Sequence, residues 1–146
     1  MAETLGMLCD KLSIVKLKEY HTDDADRLAS LKQQSKLLQD EINVYIEDAV
    51  SGRIPVESLT FKANKVYNKQ NNIIGEVNGD FGQVVAQLAE TNCKLWHEQE
   101  KVYEFEKVPV EEKDRVVKQL AVLNLERNEC IDAINNILVS YVQKNN

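Results

Sequence analysis

Helix-breaking residues are scarce and local in this chain. It has two prolines, Pro55 and Pro109, and five glycines, four of them between Gly52 and Gly82. That excludes a turn-rich β architecture and leaves a helix-rich protein with one irregular stretch. Cysteines are three, Cys9, Cys93 and Cys130, widely spaced and without a CxxC pair. An odd, scattered set excludes a disulfide framework and reads as small buried apolar side chains. A zinc site built on His21 and His97 finds no ligand spacing on either segment, so no metal or other cofactor is expected. No run of 18 apolar residues is present, which excludes a membrane-spanning helix. Basic residues never cluster and the net charge is -6, so a phosphate-tracking nucleic-acid surface is excluded. The opening stretch, Met1 to Leu12, lacks a basic-then-apolar pattern because Asp10 and Lys11 interrupt it. A cytoplasmic location is the expectation.

What is there is helical periodicity, in segments that repeat one another. A shift of 83 positions carries Leu5, Lys11, Leu12, Lys18 and Tyr20 onto Leu88, Lys94, Leu95, Lys101 and Tyr103. A shift of 88 carries Asp26, Arg27, Leu37, Glu41 and Ile46 onto Asp114, Arg115, Leu125, Glu129 and Ile134. The pattern predicts an all-α fold: an antiparallel helical bundle of two tandem, sequence-related α-hairpins with an irregular insert between them. Residues 1–146 form a single domain in this reading, with hairpin 1 over about 2–50, the insert over about 51–82 and hairpin 2 over about 83–143.

The first predicted helix runs from about Ala2 to Tyr20. Leu5, Leu8, Leu12 and Val15 form one apolar row, and Met7, Ile14 and Leu17 a second, on a face shared with Asp10 and His21. A helix apolar on two sides touches more than one neighbour. The second, about Asp24 to Val50, carries a seam of Leu28, Leu31, Ser35, Leu38, Ile42, Tyr45 and Ala49. In the insert, Pro55 opens a short helical turn, Leu59, Phe61, Val66 and Tyr67 pin the segment to the bundle, and Asn71, Asn72, Gly75, Gly79 and Gly82 read as turns. The third helix, about Gln83 to Glu106, points Val84, Leu88, Leu95 and Val102 inward, with Asn92 and Gln99 as polar inward positions and Trp96 beside them. Pro109 starts the fourth, which continues to about Gln143 with Val116, Leu120, Leu123, Ile131, Ile134, Leu138 and Tyr141 as its seam.

The fourth seam is partly polar: Asn124 and Arg127 fall in it and Asn128 lies at its edge. An unpaired buried guanidinium costs several kcal/mol, so a carboxylate is expected opposite Arg127. Glu19 is the first candidate because it continues the Leu5–Val15 row; Glu98 and Asp10 are the others. Such a group is either an ion pair that fixes helix register or a pocket for an anion such as a sugar phosphate. His97 falls on an outer face, and His21 reads as a histidine near a helix C-terminus. Glu126, Glu129 and Asp132 make an ExxExxD run that reads as a solvated charged face rather than a metal site.

Three segments stand together: Thr4-Leu5-Gly6 through Asp10-Lys11-Leu12-Ser13-Ile14 with Leu17-Lys18, then Asn92 with Leu95-Trp96-His97-Glu98, and then Leu123-Asn124 with Arg127-Asn128 and Ile131-Asp132. With them the chain resembles a bacterial helical family of unknown function associated with surface-polysaccharide and glycosyltransferase gene neighbourhoods. The match covers the helices at both ends of the chain and departs at Tyr20-His21, where relatives carry a Trp-His pair. The resemblance implies candidate positions at Asp10, Lys11, Trp96, His97, Asn124, Arg127, Asn128 and Asp132. Two functions follow as expectations. The first is a non-enzymatic helical module acting through protein partners as a homo-oligomer. The second is an enzyme or binding protein for a nucleotide-sugar or other anionic metabolite linked to surface-polysaccharide biosynthesis.

Overall fold

A computed structural model describes residues 2–61 and 77–145. Those residues are almost wholly helical: α1 (Leu5–His21), α2 (Ala25–Val50), α3 (Phe81–Tyr103) and α4 (Val110–Lys144), with 3-10 turns at Val56–Ser58 and Phe105–Lys107. No strand occurs among the described residues, and no described helix is long and apolar enough to cross a membrane. The expectations for Val66, Tyr67, Asn71, Asn72 and Gly75 lie outside the described residues.

Side-chain chemistry sets the helix ends. Thr4 caps α1 by accepting from the Met7 amide, so the helix starts at Leu5 rather than Ala2. Asp24 caps α2, accepting from the amides of Asp26 and Arg27. Gly52, at φ +82°, lets the chain leave α2 through the left-handed region. A capping box of Asp80 and Gln83 starts α3 at Phe81, which puts Gly82 inside the helix rather than in a turn. At the far end α3 stops at Tyr103 and a 3-10 turn follows, so the continuous helix to Glu106 is not formed.

α1 is the hub, packing on α2, α3 and α4, while α3 packs on α4. Its two predicted faces explain this. Leu5, Leu8 and Val15 join one core with Leu38, Tyr45 and Ala49 of α2 and with Ile134, Leu138 and Val142 of α4. The α2 seam is inward at every predicted position. On α4 the seam holds except at its end: Tyr141 is 46% exposed and Val142 is buried in its place, because the stripe drifts around a straight helix of 35 residues. Leu59 is buried against the bundle, whereas Phe61 is exposed and does not pin the segment.

Candidate functional site

One face of α1 makes a series of specific polar and aromatic contacts with α3 and α4. Gly6, Asp10, Ser13 and His21 lie within about 80° of one another on the helix circumference, since each residue advances the helix by about 100°. Near the start, the Gly6 amide donates to Asn135 Oδ1 at 2.8 Å. Further along, Asn92 Nδ2 donates to Asp10 Oδ1 at 3.0 Å and approaches Ser13 Oγ at 3.3 Å. Arg127 Nε stands 4.0 Å from the same Asp10 oxygen. At the C-terminal end, the His21 imidazole stacks on the Trp96 indole, with centroids 4.7 Å apart and planes 10° from parallel. Tyr20 meets the imidazole edge-on at 5.2 Å.

Asp10 is therefore the carboxylate that answers Arg127. Glu19 is not: it pairs with Lys16 at 2.9 Å. Nine positions from Asp10 is half a turn on the helical wheel, so Glu19 points away from Arg127. Glu98 pairs with Lys101 at 3.1 Å. The Arg127 side chain is 32% exposed and that of Asp10 16%, so the guanidinium is partly solvated rather than sealed in hydrocarbon. Its Nε and Asn92 Oδ1 are nonetheless buried without a hydrogen-bond partner. The cluster ties α1, α3 and α4 in one register.

Other expected positions fall elsewhere. Asn124 is exposed, as is Gln99, so neither points into the bundle. Asn128 is half-buried. Lys11 is exposed and pairs with Glu3 at 2.6 Å. His97 is exposed, with Nδ1 3.9 Å from Glu100. The Glu126–Glu129–Asp132 run is half-buried rather than a solvated face: Glu126 accepts from Gln87 Nε2 of α3 at 3.0 Å, and Glu129 and Asp132 also have partners. No metal-binding group of His, Cys, Asp and Glu occurs among the described residues.

Sequence reasoning missed the cavity where this series of contacts ends. A concavity of about 400 Å³ opens between the end of α1, the start of α2 and α3. Lys18, His21 and Arg27 line it with Trp96, Ser30 and Leu31, and no carboxylate is in the lining. Neither Lys18 nor Arg27 has a carboxylate partner among the described residues. Asp24, at the start of α2, is turned to cap that helix. Lys18 and His21 sit in the last turn of α1, where the helix dipole favours positive charge. The signal was present as Lys18, His21 and Arg27 around one short connection, but it becomes a site only when Trp96 arrives from α3.

No family model, curated protein or solved structure matches the chain.

Proposed function

We propose that the protein is a helical binding module for an anionic metabolite, held without covalent chemistry in the cavity at the α1–α2 connection. The observation that carries this is the lining itself: Lys18, Arg27 and His21 converge on about 400 Å³ with no acidic neighbour in the wall, in a chain of net charge -6. That volume falls in the range of small-molecule sites, roughly 300–1,000 Å³. Unpaired cations around a concavity attract anions, and an aromatic wall orients them. The expected architecture, an antiparallel bundle of two hairpins, is kept as part of this proposal. It is supported by the pairing order along α1, where Gly6 meets Asn135 and Asp10 meets Arg127, so that α4 is read backwards as α1 is read forwards.

The test is equilibrium dialysis with inorganic pyrophosphate. Saturable binding that weakens as salt rises, and that is lost in a Lys18→Glu/Arg27→Glu variant, is expected. Binding equal in wild type and variant would remove this cavity from the account.

A second reading, a homo-oligomer formed through protein contacts, has its own observation. Leu37 and Val44, one heptad apart on α2, are 54% and 51% exposed. They line a concavity of about 600 Å³ with Leu8 of α1. Apolar side chains so placed are what a second copy would cover.

A further inference from the structure

The cations of the α1–α2 cavity account for an anion but not for the aromatic pair beside them. Trp96 and His21 both line the space, and their rings are within 10° of parallel. Tyr20, edge-on to the imidazole, braces that ring. Because the two rings stack face to face, each hides one face of the other, and the flat π surface left to a ligand on the wall with Lys18 and Arg27 is an outer face of the stack. A bare phosphate or a sugar phosphate would use the cations and leave this surface idle. A planar heteroaromatic ring would use it, because every base has a π face that stacks without sequence-specific hydrogen bonds. Two separate cations, one a compact ammonium and one a planar fork, suit a diphosphate better than a single phosphate. Ser30 adds a hydroxyl to the same lining, able to donate to or accept from a sugar or phosphate oxygen.

We infer that the ligand is a nucleoside diphosphate, free or esterified at its far phosphate, with its base stacked on the Trp96–His21 pair and its diphosphate between Lys18 and Arg27. This rests on the anion-binding reading above and adds the ring to it.

The chain has one tryptophan, Trp96, so its fluorescence reports this wall alone. The full-length protein is titrated with adenosine diphosphate, inorganic pyrophosphate and adenosine, by fluorescence and by equilibrium dialysis. Adenosine diphosphate is expected to quench Trp96 saturably and to bind roughly ten-fold or more tighter than pyrophosphate, the gain that stacking one base supplies. Lys18→Gln and Arg27→Gln, at exposed positions, are each expected to weaken the diphosphate several-fold. Trp96→Leu, followed by dialysis, is expected to bring adenosine diphosphate down to the pyrophosphate level and leave pyrophosphate unchanged. His21→Ala, at an exposed position, makes the same comparison if the Trp96 variant does not fold. Equal affinity for pyrophosphate and adenosine diphosphate would overturn the nucleotide assignment and keep the anion site. Adenosine binding as tightly as its diphosphate would overturn both, and so would binding of none of the three.

Discussion

The amide of Gly6 donates to Oδ1 of Asn135, 129 residues away in the sequence, and the contact is fully buried. It closes a gap at the start of α1. The first amides of a helix have no partner of their own. Thr4 takes the Met7 amide with its hydroxyl and the Leu8 amide with its carbonyl, and Asn135 reaches over from α4 to take Gly6. The approach works only because residue 6 has no side chain. A Cβ there would stand 2.4 Å from the Ile131 carbonyl oxygen and 2.9 Å from its Cγ2.

Gly6→Ala should therefore force α1 and α4 apart and lower stability by about 1–3 kcal/mol, the usual cost of overpacking. Asn135→Ala should lose about 1–3 kcal/mol for a different reason, a buried amide left without an acceptor. The two share one contact, so the double variant should lose less than the sum. Urea unfolding followed by circular dichroism measures all three. A wild-type midpoint in Gly6→Ala would contradict the close approach.

Much of the fold was legible because periodicity is a strong signal. The seam of α2 reads inward at each position, and α1 touches α2, α3 and α4 as its two apolar rows require. The site was less legible. A polar residue in an apolar row identifies a buried contact but not its partner. Arg127 pointed to a carboxylate, and three were candidates, because the direction in which the Leu5–Val15 row faces is set by packing rather than by the row. Asn135 lies beside Ile131, Ile134 and Leu138, yet a lone buried amide has no sequence pattern of its own. The stack of His21 on Trp96 joins residues 75 positions apart, and no local rule brings them together.

Asp10 is the shared acceptor of the central cluster, and its loss should cost more than the loss of Arg127. Asp10→Ala leaves Asn92 Nδ2, which is buried, with only the longer contact to Ser13 Oγ at 3.3 Å; about 1–3 kcal/mol is the expected loss. Arg127→Met removes an ion pair 4.0 Å long from a side chain one-third exposed, and should cost less than about 1 kcal/mol. A double-mutant cycle by denaturant unfolding gives the coupling directly. Coupling of several kcal/mol would mean that the pair is tighter than this geometry.

Alkaline pH should weaken the fold through two thiols, half-buried Cys9 and buried Cys130. Burial pushes both Cys9 and Cys130 up to about 11, from an ordinary value near 9, with nearby carboxylates adding to the shift. Burial also raises Tyr45. A raised value means that the folded state holds its proton after the unfolded chain has released it. The unfolded chain then binds fewer protons above pH 9, so stability falls as pH rises from about 9 to 11. Melting temperature should decline as the pH rises from about 9 to 11. In the same range a thiol reagent should modify exposed Cys93 first and the other two only as the pH approaches 11. A melting temperature that rises between pH 9 and 11 would contradict this account.

The outer face of α2 carries exposed aliphatic side chains. Leu37 and Val44 lie about 10 Å apart along the helix axis, at 1.5 Å per residue, with Glu41 of the same face between them. Glu41 has no cation partner among the described residues, while Asp40 beside it is held by Lys36. A second copy that covered this strip would bury two aliphatic side chains from each chain, each worth about 1.5–3 kcal/mol when fully buried. Size-exclusion with light scattering should then give twice 16.7 kDa for the wild type and 16.7 kDa for Leu37→Asp/Val44→Asp. Because both positions are already half in water, the substitutions should leave the helical circular dichroism unchanged. A wild type that scatters as a single chain at high micromolar concentration would leave this strip without a second copy, and the anion cavity would carry the function alone.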